Sequence, residues 1–112
     1  GYAKFFDEAS RNWTKDPEHN KWFLNNAERY FNDKLRIDKF VFLNDIYDYL
    51  DIPRTQQGQT DGWVYDAKNP EDSCISFDIM NVHKEANRRF VNGYEPVVLL
   101  DFKNCHYILD QM

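Results

Sequence analysis

The chain has 112 residues and a formal net charge of −5 at pH 7, and aromatic side chains make up 17% of it. A chain of this length forms a single globular domain, here 1–112, and buries roughly two thirds of its unfolded surface around one core. The acidic balance argues against direct binding of a nucleic-acid backbone, because domains with that function are usually basic.

Residues that commonly hold metals do not occur at metal-binding spacings. Cys74 and Cys105 are the only cysteines, and they form no Cys-x-x-Cys pair. A structural zinc site takes four ligands at short spacings. We therefore expect no metal and no cofactor. Two free thiols fit a reducing compartment, although the sequence leaves a disulfide between them open.

The first third of the chain predicts a short edge strand followed by a long helix. Residues 2–7, YAKFFD, are the aromatic strand segment. Asp16 suits the position before a helix, and Pro17 suits its first position. Apolar residues then recur at helical spacing for about twenty residues. The buried stripe of this amphipathic helix is predicted to contain Leu24, Ala27, Phe31 and Leu35.

The next segment predicts a brief strand at 40–43 and a short helix that ends before Pro53. The side chains that face inward from this helix are expected to be Ile46, Tyr47 and Leu50. Its outer side carries Asp45, Asp48 and Asp51. A calcium loop places carboxylates at alternate positions around a central glycine, and these acids do not. We expect them to face solvent.

Residues 53–62, PRTQQGQTDG, have no periodicity and are predicted to be a loop, after which a strand begins at 63–65. Apolar and polar residues alternate from 75 to 80, which predicts a strand with one face on the core. The core side chains of that strand would be Ile75, Phe77 and Ile79. Residues 83–93 predict a helical turn that Asn92 and Gly93 close in left-handed conformations.

Two last strands are predicted, at 97–102 and at 106–109. Both faces of 97–102 are apolar, so we expect this strand in the middle of the sheet, with Leu99 in the core. The prediction is an α+β fold. It has an antiparallel sheet of four to five strands, one long amphipathic helix packed on a face of the sheet, and short helical turns.

Asp101-Phe102-Lys103 forms half of the metal-binding signature of one class of nucleases. In that class a second acid on the preceding strand helps to bind the metal, and the lysine assists the attacking water. The second acid here would be Asp78, or Glu71 with Asp72. However, alternation places Asp101 on the Leu99 side of its strand, and no helix follows the last strand. A metal-dependent nuclease is a remote alternative, and we expect no catalytic residues.

The 53–66 region is the predicted site of contact with a partner, because it is longer than a plain connection and loops on a rigid scaffold often bind. Adaptable hydrogen bonds are offered by Arg54, Gln56, Gln57 and Gln59. Trp63 and Tyr65 could supply aromatic anchors. The flanking acids are Asp45, Asp48 and Asp51. The structural alternative is that Trp63 fills the sheet edge and the loop is idle surface.

The acidic residues also suggest a protein that imitates nucleic acid and inhibits a DNA-binding enzyme. The side chains that would stand in for phosphates are Asp33, Asp38, Asp45, Asp48, Asp51, Asp61 and Asp66. A net charge of −5 is mild for that role. The mimic is therefore the second hypothesis, after protein binding.

Residues 42–66, FLNDIYDYLDIPRTQQGQTDGWVYD, together with 5–8, 69–72 and 88–102, carry a resemblance that covers nearly the whole chain. Its most specific positions are Leu43-Asn44, Tyr47, Pro53-x-Thr55, Gly58 and Gly62-Trp63-x-Tyr65-Asp66. The chain resembles a family of small proteins of uncharacterised function that phages and prophages of gut Firmicutes encode. The resemblance brings no known catalytic residues.

Relatives in that family often carry an apolar, membrane-inserting N-terminal region. This implies that the domain is the C-terminal soluble part of a longer parent, which would touch a membrane only through the segment absent here. We expect a non-catalytic phage accessory or host-interaction module that binds a protein in the bacterial host cytoplasm. The runner-up is an acidic mimic that inhibits a host defence or DNA-binding enzyme.

Overall fold

A computed structural model describes residues 2–71, 73–81 and 83–112. Within these ranges the chain forms three α-helices and five short strands, so the predicted α+β class is confirmed. The helices are α1 (Pro17–Asp38), α2 (Leu43–Leu50) and α3 (Glu85–Val91). The strands are β1 (Lys4–Phe6), β2 (Phe40–Phe42), β3 (Asp61–Val64), β4 (Val98–Leu100) and β5 (His106–Tyr107). Short 3₁₀ turns lie at Gln57–Gln59 and Leu109–Gln111.

The described strands form two antiparallel sheets instead of the single sheet of four to five strands that the sequence predicts. One sheet pairs β1 with β4, and the other has the order β2-β3-β5. In the second sheet Gly62 lies opposite Phe42, where an added Cβ would come within 2.0 Å of the Val41 carbonyl oxygen. Only glycine permits this close approach of β2 and β3.

The residue pattern predicts α1 correctly. The Asp16 carboxylate accepts a hydrogen bond from the Glu18 N–H at 3.0 Å, and Pro17 is the first helical residue. The helix ends at Lys39, whose positive φ of 75° turns the chain into β2. The predicted buried stripe is confirmed, because Leu24, Ala27, Phe31 and Leu35 are all in the core.

The region 75–80, predicted as a strand, buries alternate side chains as a strand would, but it does not form a ladder of hydrogen bonds with a neighbouring strand. Ile75, Phe77 and Ile79 are buried, as predicted. The only β-pairing described for this segment is a single bridge between Ser76 and Lys103, and a positive φ of 57° at Asp78 turns the chain.

Strand β4 lies in a two-stranded sheet and not in the middle of a large one. Its alternation buries Val98 and Leu100, so Leu99 is only half-buried and the prediction that it belongs to the core is wrong. Asp101 shares the Leu99 side, as alternation predicts.

The 83–93 segment is helical as predicted, and Gly93 closes α3 with a φ of 81°. Asn92 has a φ of −82°, so only one of the two residues is left-handed. In the part of the chain that the structure describes, each helix is too short or too polar to cross a membrane.

Candidate functional site

One asparagine fastens the loop at 53–60 to α2. The side-chain amide of Asn44 accepts a hydrogen bond from the Thr55 N–H and donates one to the Thr55 carbonyl, both at 3.0 Å. Thr55 Oγ1 in turn accepts from the Gly58 N–H at 3.0 Å. A Cβ at Gly58 would lie 2.0 Å from Asn44 Oδ1, so this position has room only for glycine. The loop therefore has a defined shape.

The polar residues that the sequence assigns to partner contact lie on the outside of this loop. All four side chains are exposed, namely Arg54, Gln56, Gln57 and Gln59. The Arg54 guanidinium donates to both carboxylate oxygens of Asp48, with Nε–Oδ1 at 2.9 Å and Nη2–Oδ2 at 2.5 Å. This bidentate pair holds the pKa of Asp48 below its usual range and joins the loop to α2.

Of the two aromatic residues in the predicted site, only Tyr65 reaches the surface. Trp63 is buried, and its indole N–H donates to the Lys103 carbonyl at 2.7 Å. It offers no surface to a partner and must be removed from the predicted contact set. Tyr65 is half-buried, with the Lys39 Nζ 4.9 Å from its ring centroid.

The two acids of α2 and the one that directly follows it, Asp51, differ in their partners. Asp51 follows the helix with a positive φ of 57° and accepts from the Arg11 N–H at 2.8 Å, which holds its pKa below the usual range. Asp48 is paired with Arg54. Asp45 has no ion-pair partner among the described residues.

Asp45 and Asp48 line an open cavity of about 420 Å³ between α1 and α2, together with Tyr30, Phe31, Lys34 and Tyr49. The rings of Tyr30 and Tyr49 are stacked, with centroids 5.4 Å apart. Both contact the buried Phe31 ring edge-to-face, at 4.9 Å and 5.4 Å. The two tyrosines are therefore fixed from below by the core while 50% and 39% of their surface stays exposed.

The two acids of the nuclease-like pattern, Asp78 and Asp101, lie close together, and two lysines pair with both of them. Lys84 Nζ lies 3.0 Å from the Asp101 carboxylate and 3.4 Å from that of Asp78. Lys103 Nζ lies 3.5 Å and 3.6 Å from the same two groups. Hydrogen bonding from Lys84 holds the pKa of Asp101 below its usual range. Two ammonium groups thus fill the space between the carboxylates.

The other acids considered for a metal do not complete that cluster. Glu71 is exposed, and Asp72 lies outside the described residues. Within 2–71, 73–81 and 83–112, no three His, Cys, Asp or Glu side chains are arranged to hold a metal ion. Cys74 and Cys105 are free thiols, and burial raises the pKa of Cys105 to about 12.

A family model described as "Family of unknown function (DUF6353)" matches residues 1–112. The chain belongs to this family. The expectation of a family of uncharacterised function is confirmed, because the description assigns no activity. Neither a curated protein nor a solved structure matches the chain.

In this DUF6353 chain, the positions that carry the resemblance have structural roles. Asn44, Thr55 and Gly58 form the attachment of the loop, and Gly62 allows β2 and β3 to approach. Trp63 fills the core beside them. These residues keep the loop in place, and the exposed side chains between them are the ones available for contact.

Sequence reasoning missed the cavity between α1 and α2 as a site. Trp22, Tyr30 and Ile37 are spaced at i, i+8 and i+15, so they share one side of α1, and they are 63%, 50% and 77% exposed. That spacing was visible in the sequence of this DUF6353 chain. The approach of Tyr30 to Tyr49 and Asp45 depends on how α1 and α2 pack, which the sequence pattern does not specify.

Proposed function

We propose that the chain is a non-catalytic phage accessory or host-interaction module that acts by binding a protein. The contact surface in this proposal consists of the α1–α2 cavity, the exposed Trp22 on the same helix as Tyr30, and the exposed side of the 53–60 loop. We refer to it as the α1–α2 surface. The observation that carries the proposal is the pair of exposed, core-supported tyrosines next to a fastened polar loop.

Exposed aromatic side chains that the core holds in place suit protein recognition. Tyr and Trp are over-represented among the residues that dominate binding energy at interfaces. Because Tyr30 and Tyr49 already rest on Phe31, binding them would cost little additional side-chain entropy. The Asn44–Thr55 hydrogen bonds have the same effect on the loop.

The nucleic-acid mimic is the less favoured hypothesis, because internal cations neutralise much of its acidic array. Ion pairs join Asp33 to Arg36, Asp38 to Lys34, Asp48 to Arg54 and Asp51 to Arg11. Asp61 is buried and accepts a hydrogen bond from the Tyr2 hydroxyl at 2.5 Å. Carboxylates in these states make a poor copy of the unpaired, regularly spaced phosphates of DNA.

The remote nuclease alternative is disfavoured by the two lysines between Asp78 and Asp101, which would have to move before a cation could enter. Phage origin, action in the host cytoplasm and membrane tethering of a longer parent are parts of the proposal that rest on the resemblance alone.

The proposal is tested by affinity capture from host lysate with quantitative mass spectrometry. The Trp22→Ser/Tyr30→Ser variant should lose at least about tenfold of the captured protein, because it removes two exposed aromatic contacts. Tyr94→Ser is the matched control, since Tyr94 is 78% exposed and does not line the cavity. Equal capture by both variants and the unaltered chain, with unchanged melting temperatures, would refute the proposed surface.

A further inference from the structure

We infer that the α1–α2 cavity receives an arginine side chain from the bound protein. This inference rests on the proposed function and adds the chemistry of the group that the cavity recognises.

The rings of Tyr30 and Tyr49 are stacked on one another, so each ring covers part of the other's face. They are tilted by only 18° from each other and belong to a longer stack, in which Phe23 lies 5.8 Å from Tyr49. A guanidinium group is planar and stacks on aromatic faces, where the ring quadrupole attracts its charge. Tyr30 ends this stack and is half-exposed, so it provides such a face at the mouth of the cavity.

The charges around the cavity leave one carboxylate unmatched. Lys34 Nζ is 2.7 Å from the Asp38 carboxylate, and Arg54 holds Asp48 in a bidentate pair. Asp45 is the remaining acid, and it pairs with no cation in the described ranges. Together these five groups carry one net negative charge, so a bound cation would neutralise the site and an anion would be repelled.

The cavity is large enough for one such side chain. It is a shallow depression of about 420 Å³ that is largely open to solvent, so an arginine would lie in it and remain partly exposed. An arginine that enters with its plane against Tyr30 could donate two N–H groups to the Asp45 carboxylate, since both residues line the cavity. Fork-shaped pairing of this kind favours arginine over the point charge of lysine.

The inference is tested with the capped peptide acetyl-Ala-Arg-Ala-amide and its citrulline analogue, which has nearly the same shape and no charge. The probes are titrated into the isotope-labelled chain, and binding is followed by NMR chemical shifts. The arginine peptide should shift resonances of Tyr30, Lys34, Asp45 and Tyr49 in a saturable way. The citrulline peptide should bind at least about fivefold more weakly, because it lacks the attraction to Asp45.

Asp45→Asn should reduce binding of the arginine peptide to the citrulline level, whereas Asp110→Asn removes the same charge at another exposed position and should change nothing. The lysine analogue should bind more weakly than arginine, and equal affinity would overturn the choice of arginine. If the citrulline peptide binds the cavity equally well, the cation inference fails while the proposed surface stands. Shifts confined to other acidic residues, or none at saturating probe, refute the inference, and lysate capture then decides the proposed function separately.

Discussion

Two segments with little regular secondary structure, 53–60 and 73–79, are fastened by the same device and differ in what they bury. Asn44 holds both backbone groups of Thr55, and Asn32 holds both backbone groups of Ile75, at 2.8 Å and 2.9 Å. The 73–79 segment also places three large apolar side chains in the core. The 53–60 segment buries only Gly58.

Because of this difference, the 73–79 segment is part of the core, whereas the 53–60 segment is a surface feature. In both places a helix side chain supplies the hydrogen bonds that a neighbouring strand would otherwise supply. The 73–79 segment has little left to offer a partner, because its apolar side chains already pack inside. The 53–60 segment keeps its shape without burying its side chains, so they remain available for contact.

The largest expected effect comes from removing the buried part of the 73–79 segment. Phe77→Ala should lower the free energy of unfolding by about 3–5 kcal/mol, the usual range when a buried aromatic side chain is truncated. Urea denaturation measures the loss. A loss below about 1 kcal/mol would mean that the segment is held by its hydrogen bonds alone, as the 53–60 segment is.

The next largest losses of stability should come from replacing the two asparagines that hold these segments. Asn44→Ala and Asn32→Ala should each cost about 1–3 kcal/mol, because each leaves a backbone N–H and a carbonyl without a partner. The greater loss is expected at Asn44, which is 4% exposed. Asn26→Ala is the matched control, since the one side-chain hydrogen bond it makes within the described residues is donated to the Trp22 carbonyl, on the exposed side of α1. Equal losses in all three variants would break the comparison.

The second attachment of the 73–79 segment is sensitive to pH. The Phe77 N–H donates to Glu28 Oε1 at 2.8 Å, and burial raises the pKa of Glu28 above its ordinary value of 4.5. The folded protein thus binds this proton more tightly than the unfolded chain does. The resulting stability is present below pH 4.5 and is lost as the pH rises through the folded pKa.

Glu28→Gln keeps an acceptor for Phe77 and removes the titration. The variant should therefore gain stability relative to the unaltered chain as the pH is raised from about 4 to about 7. Urea midpoints at several pH values give this difference. A difference that stays flat across the range would show that burial does not disfavour the Glu28 carboxylate.

The smallest effect on stability is expected at the exposed side of the 53–60 segment. Arg54→Ala with Gln57→Ala should leave the melting temperature nearly unchanged, because both side chains are exposed and the Asn44 hydrogen bonds remain. The same variant should weaken capture of the partner. Full capture by the double variant would restrict the contact surface to the α1–α2 cavity.

A structural feature could be predicted from the sequence when the interactions that produce it lie within one segment of the chain. The start of α1 at Pro17 and its buried stripe follow from caps and periodicity, which lie within one segment. The absence of a strand ladder at 75–79 could not be predicted, because its backbone is bonded by the side chains of Asn32 and Glu28, more than forty positions away. Alternation cannot tell such an attachment from a strand ladder.

In the candidate site, too, the local features could be predicted and those that depend on tertiary packing could not. The exposed loop side chains could be predicted from composition, since polar residues without periodicity indicate a loop. Trp63 could not be placed, because an aromatic residue beside a loop can be either an anchor or part of the core. The stacked tyrosines come from different helices, so only the packing of α1 on α2 reveals them.

The pairing of β1 with β4 sets the order in which the fold can close. Lys4 lies opposite Leu100, so this sheet joins residues that are nearly the whole chain apart. Contacts between distant residues slow folding, because a long loop must be closed before they form. During synthesis, residues 4–6 have no partner in this sheet until 98–100 have been made. Residues 4–6 should therefore be among the last to gain their interstrand hydrogen bonds when the fold forms.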